Sequence, residues 1–204
     1  MKVLLINGSP HKNGNTFLAL SQIAQTLQTE GIDTEIEWIG AQPIRGCIVC
    51  NTCKTKGNGA CTFNDDACNR ISGKFAEADG FIFGSPVYYG QPNGALLAIM
   101  QRAFYSNGAA LQDKPAAVVT ICRRGGATAA MQALQMPLQM MNMPVVTSQY
   151  WNIAYGRDAG QVEQDAEGMQ TMRTLAHNLA RMLRGLNDEP VPQREPRQAT
   201  PFIR

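Results

Sequence analysis

The sequence predicts an α/β protein of the three-layer, doubly wound kind, with a five-stranded parallel sheet between two layers of helices. Short apolar runs alternate with longer stretches whose apolar residues recur at helical spacing, which is the pattern of repeated βα units. The first run, residues 3–6, is apolar at every position, as a central parallel strand buried on both faces should be. At 204 residues the chain is long enough for one well-buried domain of this type and too short for two comfortable ones.

The first strand breaks at Asn7-Gly8, and a helix is expected over about 16–30, with Phe17, Leu20, Ile23, Ala24 and Leu27 on one face and Gly31 at its C-terminal cap. Residues 34–38 (Thr-Glu-Ile-Glu-Trp) alternate, so the second strand is expected half exposed near a sheet edge. Residues 43–68 form a long cysteine-rich loop with little periodicity, and such loops inside a compact domain are functional or disordered. Asn64-Asp65-Asp66 reads as a helix start, a capping side chain followed by first-turn acids rather than catalytic carboxylates. The third and fourth strands fall at 81–83 and 116–121, and 145–147 is the candidate fifth. Further helices are expected over 93–105, over 127–141 with a disturbance at Pro137, and over 162–186. In the last of these Met169, Met172, Leu175, Leu179, Met182 and Leu186 share a face, while His177 reads as a surface or partly packed residue. The common order for five such strands is 2-1-3-4-5. Residues 1–186 therefore make the domain. Residues 187–204, with four prolines and several charges, make a non-helical or disordered arm suited to reaching across a neighbouring subunit.

A formal net charge of +2 is too small to argue for nucleic acid or an anionic membrane surface, so any anion site must be local. The N-terminal apolar run is too short for a signal-peptide core, and no apolar run reaches the length of a membrane span. A cytoplasmic protein is the expectation. In that setting six cysteines point to metal binding, redox chemistry or buried thiols rather than to disulfides.

Chemistry is concentrated in the loops that follow strands. Residues 8–16 close strand one and open helix one, where a helix N-terminus supplies free N–H groups and the positive dipole end. Ser9, Asn15 and Thr16 add side-chain donors there, Gly14 lets the backbone turn closely around a ligand, and His11 and Asn13 lie in the same loop. The segment carries neither a nucleoside-triphosphate loop nor a dinucleotide fingerprint, and a hydroxyl-rich loop suits a lone monophosphate. A second loop, Pro86-Val87-Tyr88-Tyr89-Gly90, offers an aromatic ring to stack on a planar ligand and backbone N–H groups for its polar edge. A third, Cys122-Arg123-Arg124-Gly125-Gly126, allows a close backbone approach beside a cation.

Cys47, Cys50, Cys53 and Cys61 are spaced C-x2-C-x2-C-x7-C. Three thiolates at two-residue gaps with a fourth nearby can wrap one side of a cubane cluster, whereas structural zinc usually takes two separated C-x2-C pairs. A single 4Fe–4S cluster on these four is one reading and ordinary loop thiols the other. Cys68 and Cys122 stand outside the motif and read as buried or half-buried thiols.

Asn7-Gly8-Ser9-Pro10 with Gly14-Asn15-Thr16 resembles the phosphate loop of the NAD(P)H-dependent FMN reductase and iron–sulfur flavoprotein branch of the flavodoxin-like superfamily. The resemblance continues through residues 84–89, 122–126 and 150–152, in the family's order, and spans roughly 1–156. It implies FMN as cofactor, with Ser9, Asn15 and Thr16 at its phosphate and Pro86, Val87, Tyr88 and Tyr89 along its ring. The glycines and cation of the third loop would then favour the anionic reduced flavin, or an arginine would meet a nicotinamide-nucleotide phosphate. The cysteine spacing is similar to that of the iron–sulfur flavoproteins, where a cluster passes single electrons to FMN. Two functions follow: an NAD(P)H-dependent FMN oxidoreductase serving a small acceptor or redox partner, or a one-electron carrier for a ferredoxin-like partner. No catalytic side chain is assigned, because flavin supplies the chemistry. A homodimer or homotetramer is expected by analogy with flavodoxin-like reductases.

Overall fold

In the computed structural model, which describes residues 1–193, 195, 196 and 198, strands and helices alternate as the apolar runs require. They are β1 (Lys2–Asn7), α1 (Asn15–Thr29), β2 (Asp33–Trp38), α2 (Thr52–Lys56), α3 (Cys68–Ser72), β3 (Gly80–Tyr88), β4 (Gln91–Pro92), α4 (Gly94–Asn107), β5 (Ala116–Cys122), α5 (Ala127–Met140), β6 (Ile153–Tyr155) and α6 (Ala166–Asn187). Five strands pair in parallel in the order β2-β1-β3-β5-β6, and β4 folds back antiparallel on β3 to make a sixth. Numbered among themselves, the parallel strands stand 2-1-3-4-5. The sheet departs from expectation in β4 and in the segment that supplies its last parallel strand.

Strand residues divide between two faces because side chains alternate along a strand. Val3, Leu5, Ile82, Ala117, Val119 and Ile121 pack under α1 and α6, and Leu4, Ile6, Phe81, Phe83, Ala116 and Val118 pack under α3, α4 and α5. Both faces of the central strands are covered, which is why those strands are apolar throughout. β2 lies at the edge and is half-buried, as its alternation implied.

Residues 145–147 do not form the fifth strand. Val145 makes a single bridge to Ala116, the chain leaves the sheet, and β6 pairs with Thr120–Cys122 further along β5. The excursion is held by side chains: Ser148 Oγ donates to Asn152 Oδ1 at 2.8 Å, and Asn152 Nδ2 donates to Val146 O at 3.3 Å. Hydrogen bonds to Asn152 replace the ladder there, a substitution that a run of β-branched residues does not announce.

Two boundaries also moved, while α5 kept its expected bounds to within a residue. The helix expected from Asn64 begins at Cys68, because Asp66 Oδ1 accepts the Cys68 N–H and Asp66 is buried rather than capping at the surface. The last helix begins at Ala166, where the Asp165 side chain accepts the Gly168 N–H, and a short 3-10 turn occupies 161–164. α5 continues through Pro137 to Met140. Beyond α6 the described arm residues are non-helical and exposed, and the rest of the predicted arm lies outside the described residues. Among the described residues no helix is long and apolar enough to cross a membrane.

Candidate functional site

The carboxyl ends of all five parallel strands open on one cavity of about 840 Å³, within the range of small-molecule sites. Its floor is the loop between β1 and α1. Buried Asn7 braces that loop from within, accepting the Ser9 N–H at 3.1 Å and donating to Lys12 O at 3.0 Å. Asn93 braces it from α4, donating to Gly8 O at 2.7 Å, and Trp38 Nε1 from β2 donates to Ser9 O at 2.7 Å. The loop is thus held by three side chains before any ligand arrives.

The four long helices differ in capping, and of their N-termini that of α1 lines this cavity. α4 and α6 are capped by Asn93 and Asp165, whereas α1 and α5 start at Gly14 and Gly126 with no side-chain cap. First-turn amides without an acceptor, at the positive end of a helix dipole, are what an anion requires. Gly126 is positive in φ (86°), and a Cβ there would stand 2.6 Å from Gly90 Cα, so the loop after β5 presses on the β3–β4 turn through glycine alone.

Ser9, His11, Asn13, Asn15, Thr16, Pro86, Val87, Tyr88, Cys122 and Arg123 all line the cavity. Tyr89, Gly90 and Gly125 line an adjoining groove that shares Val87, Cys122 and Arg123, with Tyr89 fully exposed and left-handed at φ 51°. Gly126 lines neither and acts through its turn. Asn15 also bonds within the chain: its amide donates to Asp158 O at 2.9 Å and its oxygen accepts the Val162 N–H at 3.3 Å. Its side chain therefore ties down the loop after β6, and Asn15 remains part of the cavity wall. Burial pushes the Cys122 thiol and the Tyr88 phenol up, so both stay protonated at neutral pH.

Two parts of the wall were missed from sequence. Trp38 ends β2, and residues 156–159, with Arg157, follow β6. The rule that ligands sit at strand carboxyl ends would have found Arg157 had residues 153–155 been taken as the fifth strand.

Cys47, Cys50, Cys53 and Cys61 line a second cavity, together with Arg102 and Tyr105 of α4. The two cavities share no lining residue. α4 starts beside the Gly8 loop, and Arg102 lies eight residues along it, about 12 Å at the helical rise. The cysteine loop therefore lies against the flank of the sandwich, not over the mouth of the first cavity. All six cysteines are free. Val49 and Asn51 adopt left-handed φ of 53° and 58°, a strained setting for a β-branched valine. The Val49 N–H points to Cys47 Sγ at 3.4 Å, Arg102 Nε donates to Cys61 Sγ at 3.3 Å, and hydrogen bonds from Thr52 hold Cys50 below the ordinary thiol value. Tyr105 Oη donates to Asn51 Oδ1 at 2.6 Å. Cys68, buried behind the loop, is pushed up to about 12 by desolvation. Among the described residues no three or more His, Cys, Asp or Glu side chains are grouped to hold a single metal ion.

The sequence pattern of the NADPH-dependent FMN reductase family matches residues 1–158, which carry every wall of the first cavity except Ala159. The chain belongs to that family. An iron–sulfur flavoprotein of Methanocaldococcus jannaschii is 33% identical over 192 residues, covering 90% of this chain and 98% of the relative. One from Methanosarcina thermophila is 28% identical, covering 90% and 95%. The fold matches that of an archaeal flavodoxin at a TM-score of 0.60 and 14% identity, over 90% of this chain and 99% of the other. The protein is a flavin-binding oxidoreductase of the FMN reductase family with a flavodoxin-like fold. An uncapped helix end, a braced hydroxyl-bearing loop and aromatic Trp38 and Tyr88 make a cavity whose chemistry suits FMN.

Proposed function

We propose that this FMN reductase family member takes reducing equivalents from NAD(P)H onto FMN and passes them to a small acceptor or redox partner. The observation that carries the reading is the one cavity into which all five parallel strands open, lined by the N-terminus of α1, which no side chain caps. Bound there, FMN supplies hydride and electron chemistry. The chain's own residues bind and orient. The amides of α1 with Ser9 and Thr16 hold the phosphate, Tyr88 and Trp38 flank the ring, and the Gly125-Gly126 turn brings backbone close to it. Arg123 and Arg157, both exposed at the rim, supply positive charge toward a nucleotide phosphate or reduced flavin.

A second reading, a one-electron carrier serving a ferredoxin-like partner, is favoured by the four cysteines that line one cavity. In it Cys47, Cys50, Cys53 and Cys61 hold a 4Fe–4S cluster, which supplies one-electron transfer. The similarity to iron–sulfur flavoproteins supports that donor set. Assembly as a homodimer or homotetramer is part of the proposal.

An anaerobic visible spectrum of freshly purified protein, with iron and acid-labile sulfide assays and addition of NADH or NADPH, tests both. Flavin bands bleached by a reduced nicotinamide are expected, with about four irons per chain if the cysteines carry a cluster. Flavin that is reduced only by ferredoxin-type donors would favour the carrier. A chain that holds no flavin and takes up no FMN would refute both.

A further inference from the structure

Arg102 stands first by size among the fully buried side chains of the described residues, and its side chain has no exposure. A guanidinium in that position is costly unless it is paired and its donors are met. Here Nε–H donates to Cys61 Sγ at 3.3 Å, one terminal nitrogen donates to Arg45 O at 3.2 Å and pairs with the Asp66 carboxylate, and the other donates to Phe63 O at 3.0 Å. Asp66 is itself only 2% exposed. Burial works against the charge, yet the hydrogen bonds that Arg102 donates to Asp66 and Cys61 prevail and hold it protonated.

Every one of these partners belongs to the cysteine loop, while Arg102 belongs to α4, whose Leu96, Ile99, Met100 and Ala103 are locked in the core. A clamp on the loop requires only the bonds to Arg45, Asp66 and Phe63, which flank the cysteines. The Nε–H directed at sulfur is additional: Cys47 and Cys50 take hydrogen bonds from Val49 and Thr52 of the cysteine loop itself, whereas Cys61 takes one from α4.

We propose that Arg102 is a positioning residue for the iron–sulfur site, holding Cys61 as a ligand and raising the reduction potential of the bound 4Fe–4S cluster through its Nε–H···Sγ bond. The proposal rests on the cluster reading above. A thiolate that accepts a hydrogen bond donates less electron density to iron, so the reduced, more negative cluster is favoured. Asp66 offsets the guanidinium charge, which leaves the directed hydrogen bond as the acting element. Lysine cannot reproduce it, because its ammonium has no planar fork to satisfy Cys61, Asp66 and two carbonyls together.

The test uses the full chain, reconstituted anaerobically with iron, sulfide and FMN, as wild type, Arg102→Lys and the paired Arg102→Gln/Asp66→Asn. The paired variant leaves no lone buried charge. Cluster and flavin potentials are measured by spectroelectrochemistry, and cluster loss by iron transfer to a chelator. Both variants should shift the cluster to lower potential and lose iron about 10- to 100-fold faster, with the flavin potential unmoved. An unchanged cluster potential in a variant that keeps its irons overturns the proposal and leaves the cluster reading standing. A wild type that takes up no iron overturns both and leaves the flavin reading intact. Should neither variant fold, pulsed EPR of reduced wild type carrying isotopically labelled arginine decides the matter. Hyperfine coupling to an arginine nitrogen supports the assignment, and its absence overturns it.

Discussion

Gly8 has no room for a side chain: a Cβ there would stand 2.6 Å from Gly84 O and 2.7 Å from Leu96 Cδ2. Its own N–H donates to Gly84 O at 2.8 Å, so the loop and β3 are in direct backbone contact. Gly8→Ala should therefore destabilise by about 1–3 kcal/mol through overpacking, lowering Tm and weakening FMN binding together in thermal melts and flavin titrations. A variant with unchanged Tm would show that the contact yields easily. Val49 makes the opposite case. It is exposed, β-branched and left-handed, so Val49→Asn should raise the Tm of the metal-free chain, by up to about 1 kcal/mol of stability. A fall in Tm would mean that the valine side chain packs usefully after all. At this scale the sequence was legible in bringing Ser9 and Thr16 to one cavity and the four cysteines to another. It did not foretell that Asn15, which lines the cavity as expected, also bonds Asp158 and Val162, residues far away in the chain.

Among the elements, the contrast between α1 and α4 has direct consequences. Asn93 caps α4, accepting the Ala95 N–H at 3.1 Å, while its amide holds Gly8 O, so one side chain joins a helix start to the loop between β1 and α1. Asn93→Ala should cost about 1–2 kcal/mol from the lost cap and hydrogen bond and weaken FMN binding beyond that of a control such as Asp165→Ala, which uncaps α6. Equal FMN affinities in the two variants would remove Asn93 from the site. Strand β6 shows why elements are harder to read than residues. Val145 and Val146 have the composition of a strand, yet Ile153, Ala154 and Tyr155 take the position, because Ser148 and Asn152 supply hydrogen bonds that end the ladder early. The misplacement also hid Arg157, since a loop can be assigned to the site only after its strand has been found.

Charge pairs tie neighbouring elements to one another across the molecule. Glu30, at the end of α1, is held below its ordinary carboxylate value by Arg184 and then by His177, both on α6. Glu35 on β2 is lowered by Lys2 of β1 and then by Lys74. A carboxylate lowered in the folded state contributes stability above its ordinary pKa, 4.5 here, and loses it as pH falls through the lowered value. Thermal melts should therefore show Tm falling as the buffer drops below about pH 4.5, with a shallower fall for Glu35→Gln. Parallel curves for the two proteins would remove Glu35 from the linkage.

The sequence by itself determined the layer architecture, the loop between β1 and α1 and the four thiols, because periodicity, helix signals and short motifs are local properties of the chain; the order 2-1-3-4-5 came from what is common for five such strands, not from the residues. Only the tertiary structure decided that five strand ends share one cavity and that Trp38 and residues 156–159 complete it. It alone placed the cysteine loop along α4 and turned Arg102, to all appearance an ordinary helix arginine, into a buried donor to Cys61. Those outcomes depend on contacts between residues 41 to 147 positions apart, as for Arg102 with Cys61 and Asn15 with Val162. Which partner a hydrogen-bonding side chain finds at such a separation is set by the packing of the layers, and no local pattern encodes it.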